Sequence, residues 1–195
     1  DVMSSAVVAS PLKLYDCCPF SDGASSVVLC SEKFAKAHGG DYVEVTGSGR
    51  GGSPAALQGR EHMTTIPSTK LAAEAAYKMA GITAKDVDFA EVHDCFTIAE
   101  VVDTEDLGFF GKGQGIQAIR EDRTKLNSDI SINPSGGLKS KGHPIGATGV
   151  GQVVEVYDQL TGNAGARTVK DAKIGLTHNF GATGASCAVH VFQSV

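Results

Sequence analysis

Three short segments carry side chains that are able to move protons: residues 93–95 (His-Asp-Cys), 142–144 (Gly-His-Pro) and 178–181 (His-Asn-Phe-Gly). The first and third follow predicted strands, and the sites of open α/β sheets lie beyond the carboxyl ends of strands. Histidine exchanges protons near neutral pH, and a thiol beside a histidine at the start of a helix can be activated. These residue types predict acid–base chemistry carried by histidine and cysteine.

His143 lies within the stretch Asn133–Gly149, which contains five glycines and runs into an apolar helical pattern. Glycine tolerates positive φ and close approach, and a glycine-rich loop that opens a helix leaves N–H groups free to bind an oxyanion or a phosphate. His143 could therefore act as a base or as an oxyanion donor. The alternative is a turn histidine bonded to backbone, which five nearby glycines disfavour.

Cys95 could act as a nucleophile or as a general acid–base, and the alternative is a buried small hydrophobic residue. The histidine and aspartate that precede it give the two interpretations equal weight. His178 and Asn179 could form a polar wall of the site, or simply a turn at the end of a strand. Zinc is disfavoured, because His93, Cys95 and His143 show no paired ligand spacing.

Length and composition predict a single soluble domain. The 195 residues can bury a core, and a net charge of −5 without a basic block disfavours nucleic acid as a partner. No apolar run reaches the length of a membrane span, and the start Asp1–Ser5 predicts a fragment, a processed chain or a subunit. Five cysteines, an odd number that includes an adjacent pair, favour a reducing, cytosol-like compartment. The cysteines predicted to be packing residues are Cys17, Cys18, Cys30 and Cys187.

Apolar periodicity and turn residues divide the chain into alternating strands and helices. The predicted strands are residues 24–30, 42–48, 87–92, 174–178 and 186–192. The predicted helices are residues 32–38 behind a Ser31 cap, 68–80 with Ser68 as the cap and Gly81 as the end, 97–107, 116–120 and 150–160. Glycines within 47–52 are expected to break the second strand. The order predicts the α/β class, with a layered, mixed five-stranded sheet and helices on both faces.

Five segments together resemble the carboxyl-terminal half of thiolases of the sterol-carrier-protein and archaeal type. They follow the family's order over nearly the whole chain and are residues 17–24 (CCPFSDGA), 93–96 (HDCF), 133–137 (NPSGG), 142–149 (GHPIGATG) and 178–181 (HNFG). The resemblance implies that residues 1–195 form the thiolase C-terminal domain of a five-layered α/β fold built from two similar βαβαβαββ halves. It implies thiolysis of a 3-ketoacyl-CoA, or the reverse Claisen condensation of two acyl-CoAs, in lipid metabolism.

The resemblance also implies a role for each candidate residue. His143 activates a nucleophilic cysteine and helps to line an oxyanion hole, while Cys95 exchanges the proton of the substrate α-carbon. His93 lies where the family places an oxyanion-hole partner, since preorganised donors stabilise charge that develops on oxygen. The other candidates for oxyanion or substrate binding are Gly142, Asn179 and Gly181, the last through its N–H group. Coenzyme A is part of the substrate, and no cofactor or metal is implied.

One departure from the family concerns the nucleophile. The family's nucleophilic cysteine belongs to the amino-terminal half, which this chain lacks, and neither Cys17 nor Cys18 matches the nucleophile segment. Asn179 stands where many thiolases carry a second catalytic cysteine, which fits the subgroup in which Cys95 takes that role. The chain alone is therefore not expected to perform covalent thiolysis.

Three hypotheses for function remain open. The chain could be an enzyme half that needs an N-terminal half or subunit, a thiolase-like aldolase that acts with a partner subunit, or a non-catalytic acyl-CoA-binding or assembly module. The implied partners are acyl-CoA, the N-terminal half, further copies in a homo- or hetero-oligomer, and a small zinc-ribbon or OB-fold protein. The expected location is the cytoplasm, or the peroxisome in a eukaryote. A separated half exposes apolar surface, so self-association is expected.

Overall fold

The computed structural model describes residues 1–195 and contains a five-stranded sheet flanked by helices. The strands are β1 (Val7–Ala9), β2 (Leu12–Lys13), β3 (Val43–Gly52), β4 (Phe89–Glu91), β5 (Ser131–Ile132), β6 (Ile174–Gly181) and β7 (Ser186–Ser194). The α-helices are α1 (Glu32–His38), α2 (Pro67–Ala80), α3 (Thr97–Asp106), α4 (Gly115–Arg120), α5 (Gly137–Lys141) and α6 (Thr148–Leu160). Single 3₁₀ turns lie at Val2–Ser4, Leu14–Asp16, Leu57–Gly59, Ala84–Asp86 and Gly165–Arg167. None of the helices combines the length and the apolar character needed to cross a membrane.

The main sheet is mixed, in the order β3-β7-β6-β4-β5, and β1 and β2 form a separate small ribbon. Strand β7 runs antiparallel to both of its neighbours, β3 and β6, whereas β4 runs parallel to both β6 and β5. The carboxyl ends of β4 and β6 therefore meet at one edge, as expected for the two segments that follow these strands. The predicted mixed five-stranded sheet is confirmed.

Helices cover both faces of the sheet. Because alternate side chains of a strand point to opposite faces, β6 directs Leu176 and His178 toward α2 and directs Asn179 toward α6. The core on the α2 face includes Ala72, Ala76, Leu176, Val189 and Val191. The core on the α6 face is built from Phe89, Val156, Val169 and Phe192.

The predicted break of the second strand at residues 47–52 is wrong, because β3 runs unbroken to Gly52. Its glycines at alternate positions face α2, and a Cβ atom on Gly49 or Gly51 would overlap the carbonyl oxygen of Ala72 or Ser68. The glycines therefore allow the helix backbone to lie against the strand. They mark a close helix–strand contact rather than a turn.

The predicted strand at residues 24–30 is also wrong, since this segment has no regular structure and is exposed to solvent. A strand needs a neighbour to satisfy its backbone groups, and no other strand pairs with this segment. The fifth strand is instead the short β5, which periodicity cannot detect in two residues. The helix that follows was predicted correctly, with the Ser31 hydroxyl accepting the Phe34 N–H at its start.

Helix α2 begins one residue earlier than predicted, at Pro67, so Ser68 is not its cap. The Ser68 hydroxyl donates to the Gly184 carbonyl at 2.7 Å, which ties the helix to the β6–β7 turn. Proline suits the first helical position because its missing N–H would have no partner there. The helix ends at Gly81 in the left-handed conformation, as predicted.

Candidate active site

His93 follows β4 and contacts the end of the neighbouring strand β6. Its Nδ1 lies 3.0 Å from Oδ1 of Asn179, and its ring packs against Phe180 with centroids 4.9 Å apart. The side chain is 8% exposed. Burial lowers the pKa of His93, so the imidazole is neutral at physiological pH.

His143 precedes α6 and is held by the first turn of that helix. Its Nδ1 lies 2.7 Å from the hydroxyl oxygen of Thr148, and this hydroxyl donates to the Pro144 carbonyl at 3.1 Å. With the hydroxyl proton directed at that carbonyl, the oxygen accepts a proton from His143 Nδ1. The Nε2 atom of His143 then carries a lone pair and can accept a proton. Burial lowers the pKa of this histidine too, with Asp94 acting in the opposite direction.

The two histidines meet although 50 residues separate them in the sequence. Their ring centroids are 4.9 Å apart and the planes cross at 82°. Neither Nε2 atom has a hydrogen bond within the chain, and neither is fully buried. The structure therefore brings together two neutral imidazoles, each with one nitrogen open to a ligand.

Cys95 lies two residues beyond His93 and is partly buried. Burial raises the pKa of its thiol to about 12, and the nearby Asp103 and Cys18 act in the same direction. At neutral pH this side chain is therefore a thiol, which can donate a proton. Its partial exposure disfavours the alternative interpretation of a buried small hydrophobic residue.

The segment Cys17–Phe20 joins Cys95 to His143, a connection that the sequence did not predict. The Cys18 N–H donates to the Cys95 carbonyl at 3.0 Å, and the His143 N–H donates to the Pro19 carbonyl at 3.1 Å. Isolated β-bridges lie next to these two bonds, one between Cys17 and Phe96 and the other between Phe20 and His143. Cys17 and Cys18 thus lie partly buried beside the candidate site instead of in the core, and Cys30, also predicted to pack, is exposed.

At the start of α5, within the glycine-rich stretch, backbone N–H groups are bound by a side chain of the same chain rather than left open. The carboxylate of Asp94 accepts the N–H of Leu138 at 2.8 Å and that of Lys139 at 3.4 Å. A Cβ on Gly137 would overlap this carboxylate, so glycine is needed at that position. The N–H of Gly142 is likewise used, since it donates to the Leu138 carbonyl at 3.1 Å.

His178 lies beneath the site rather than in its wall. It is fully buried, its Nε2 is 2.9 Å from the Thr69 hydroxyl, and its Nδ1 is 3.7 Å from the Asp103 carboxyl. Burial lowers the pKa of His178 to about 3 and raises that of Asp103 well above its ordinary value. Gly181, in contrast, is exposed at the end of β6, and its carbonyl accepts the N–H groups of Gly184 and Ala185.

Comparison with known proteins gives consistent results. The family model described as thiolase C-terminal domain-like matches residues 49–194. An acetyl-CoA acetyltransferase of Methanothermobacter thermautotrophicus is 49% identical over 192 residues, which are 98% of this chain and 50% of the relative. Human sterol carrier protein 2 is 38% identical over 200 residues, covering 95% of this chain and 35% of the relative.

A solved structure titled Ltp2-ChsH2(DUF35) aldolase superposes on the whole of this chain with a TM-score of 0.87. The matched part is 50% of the chain in that structure. At 20% identity this similarity concerns the fold alone. The chain spans about half the length, or less, of the curated relatives it matches.

Proposed function

Because the chain belongs to the thiolase C-terminal domain-like family, we propose that it is the acid–base half of a thiolase-type acyltransferase. The reaction is thiolysis of a 3-ketoacyl-CoA or condensation of two acyl-CoAs, and the nucleophilic cysteine comes from a second half or subunit. Coenzyme A enters as part of the substrate, without a further cofactor. We place the activity in a reducing compartment, the cytoplasm or a peroxisome, where the five unpaired cysteines are stable.

The observation that supports this proposal best is the meeting of the His93 and His143 rings, with Cys95 two residues after His93 in the chain. An acyl transfer through a thioester needs a base for the nucleophilic thiol and stabilisation of charge on oxygen. His143 has the free Nε2 lone pair for the first task, and its imidazolium form can then donate to the oxyanion. Cys95, as a thiol at neutral pH, supplies a proton to the carbanion that thiolysis releases.

The partner proposed from this reasoning is the half of the enzyme that carries the nucleophile. The relatives are about twice as long as this chain, and a site built from one imidazole pair and one thiol has no nucleophile poised for acylation. We propose a homo- or hetero-oligomeric assembly around that half. A small zinc-ribbon or OB-fold partner remains a prediction.

The test is reconstitution with a complementary thiolase half and acetoacetyl-CoA plus free coenzyme A as substrates. We expect thiolysis in the mixture and none with either half alone. Cys95→Ala should abolish turnover with the fold intact by circular dichroism, whereas Met63→Ala, at a residue that is 64% exposed elsewhere on the surface, should leave it unchanged. Near-normal turnover by the Cys95 variant would rule out the acid–base role.

The same mixture separates the other two hypotheses. Cleavage of a CoA-linked 3-hydroxy side chain without consumption of free coenzyme A would instead show retro-aldol chemistry. Binding of acyl-CoA by the complex without any turnover would show a binding or assembly module.

A further inference from the structure

Two side-chain amides connect His93 to the carbonyl of the preceding residue, Val92, just beyond β4. The side-chain Nε2 of Gln152, a residue of α6 that is fully buried, donates to the Val92 carbonyl at 3.3 Å. A backbone carbonyl can only accept a hydrogen bond, so this contact fixes which end of the Gln152 amide is nitrogen. The Oε1 atom of Gln152 therefore points away from Val92 and acts as an acceptor.

The next amide in the chain is oriented by the first. Asn179 donates through Nδ2 to Oε1 of Gln152, which leaves its own Oδ1 directed at Nδ1 of His93, 3.0 Å away. An amide oxygen has no proton to give, so His93 must donate from Nδ1. Neutral histidine carries only one ring proton, and Nε2 of His93 is consequently unprotonated.

We propose that Gln152 is a positioning residue that holds His93, through Asn179, in the tautomer with the proton on Nδ1. His93 then offers Nε2 as a proton acceptor, whereas the family resemblance implied an oxyanion-hole partner. A neutral His93 cannot donate to an oxyanion, and it becomes a donor only after taking up a proton. This catalytic consequence rests on the proposed acyl transfer, but the tautomer itself does not.

His143 takes the same tautomer where the Thr148 hydroxyl donates to Pro144 and accepts from Nδ1. Two proton-accepting nitrogens thus lie on rings with centroids 4.9 Å apart. A proton on His143 disfavours a second one on His93, and the charge of His143 is one of the causes that lower the pKa of His93, after burial. A second proton on the pair is therefore less favourable than the first.

Nitrogen NMR on the ¹⁵N-histidine-labelled chain tests the tautomer directly, because the chemical shifts of the two ring nitrogens identify the protonated one. The 20.1 kDa chain is within the size range of the method. At pH 7.5 we expect His93 to show a protonated Nδ1 and a bare Nε2. A His93 spectrum dominated by protonated Nε2, or by a mixture of the two tautomers, would overturn the proposal before any variant is made.

A variant then shows whether the amide chain is the cause. Gln152→Leu removes the link to Val92, which frees Asn179 to rotate, and we expect His93 to become a mixture of tautomers while His143 stays unchanged. The matched control is Gln159→Leu, at another buried glutamine of α6 that bonds Arg167 and Val169 far from His93. An unchanged His93 spectrum in folded Gln152→Leu would refute the positioning role.

A second variant serves if Gln152→Leu does not fold. Asn179→Asp keeps an acceptor for His93 Nδ1 without needing the glutamine, so the tautomer should persist and the pKa of His93 should rise. Asn179→Leu offers no acceptor and should give mixed tautomers. Equal spectra for these two variants would also contradict the inference. Failure of the acyl-transfer assay would leave these spectra unaffected, so the two proposals fail separately.

Discussion

The protonation state of the Cys95 thiol can be tested by the rate of its alkylation. Burial raises the pKa of its thiol from 9.0 to about 12, and only the thiolate is nucleophilic. The shift reduces the thiolate fraction at neutral pH about 1000-fold. Timed alkylation with iodoacetamide, followed by peptide mass spectrometry, should therefore label the exposed Cys30 long before Cys95. Faster labelling of Cys95 would show that it is an activated nucleophile instead of a proton donor.

Thr148 is the residue on which the orientation of His143 depends. Thr148→Val removes the acceptor at 2.7 Å and leaves a buried Nδ1–H without a partner, which costs about 1–3 kcal/mol. We expect kcat/KM of the reconstituted enzyme to fall about ten- to a hundredfold. Thr148→Ser, which keeps the hydroxyl, should stay within about threefold of the wild type. Similar losses for both variants would mean that the methyl group, not the hydroxyl, matters.

The residue types of His93, Cys95 and His143 predict proton chemistry, but their local sequence does not predict the groups that orient them. Thr148 and Gln152 belong to an ordinary amphipathic helix, and no local pattern distinguishes a hydroxyl or an amide that bonds a histidine from one that faces water. Such partners become visible only when the chain is folded.

At the scale of elements, the contact between β3 and α2 depends on glycine. A Cβ at Gly51 would overlap the Ser68 carbonyl oxygen, and backbone cannot move aside as a flexible side chain does. Gly51→Ala should therefore lower the free energy of unfolding by about 3 kcal/mol or more, measured by urea denaturation. Gly52→Ala is the matched control, because its nearest neighbour would be the Ala185 oxygen at 3.9 Å. Equal effects at the two positions would refute the close-packing argument.

Strand β3 and segment 24–30 show two ways in which a prediction from local sequence fails. Alternating residues from Tyr42 onward correctly indicated a strand, yet glycines within it were interpreted as a break, because local sequence cannot reveal a helix packed above. The apolar segment 24–30 produced the opposite error. Its composition is typical of a strand, but composition does not say whether a neighbouring strand exists to pair with it.

At the scale of the whole molecule, the buried pair of His178 and Asp103 shapes the dependence of stability on pH. Because the pKa of His178 is lowered from 6.5, its burial contributes fully to stability above pH 6.5. This contribution is lost as the pH falls from 6.5 toward about 3. Because the pKa of Asp103 is raised above 3.8, its burial contributes fully to stability below pH 3.8. This contribution is lost as the pH rises toward the pKa that Asp103 has in the folded chain. Above pH 3.8 the two slopes oppose each other, because rising pH favours the folded state through His178 and disfavours it through Asp103.

Asp103→Asn isolates this effect. The amide cannot titrate but still fills the space and can donate to His178 Nδ1, so the fold should persist. We expect the difference in unfolding free energy between the wild type and the variant to change by up to about 1.4 kcal/mol per pH unit between about pH 5 and the folded pKa of Asp103, in favour of the variant. Urea denaturation at half-unit pH steps measures this, and other carboxyls cancel in the difference. Parallel curves would show that Asp103 is ionised in the folded chain.

The exposed segment 24–30 makes the molecule prone to association. Val28 is 90% exposed and Leu29 is 81% exposed, and burying such side chains contributes about 1.5–3 kcal/mol each. We therefore expect the isolated chain to self-associate in sedimentation velocity experiments as its concentration rises. Changing both residues to lysine should weaken association at least about tenfold, and the unfolding free energy of the monomer should not change because neither side chain packs within it. Met63→Lys, at a residue that is 64% exposed elsewhere, is the control. An equal effect of this control would assign the association to general hydrophobicity, whereas a selective effect would identify the segment as the surface that a second polypeptide covers.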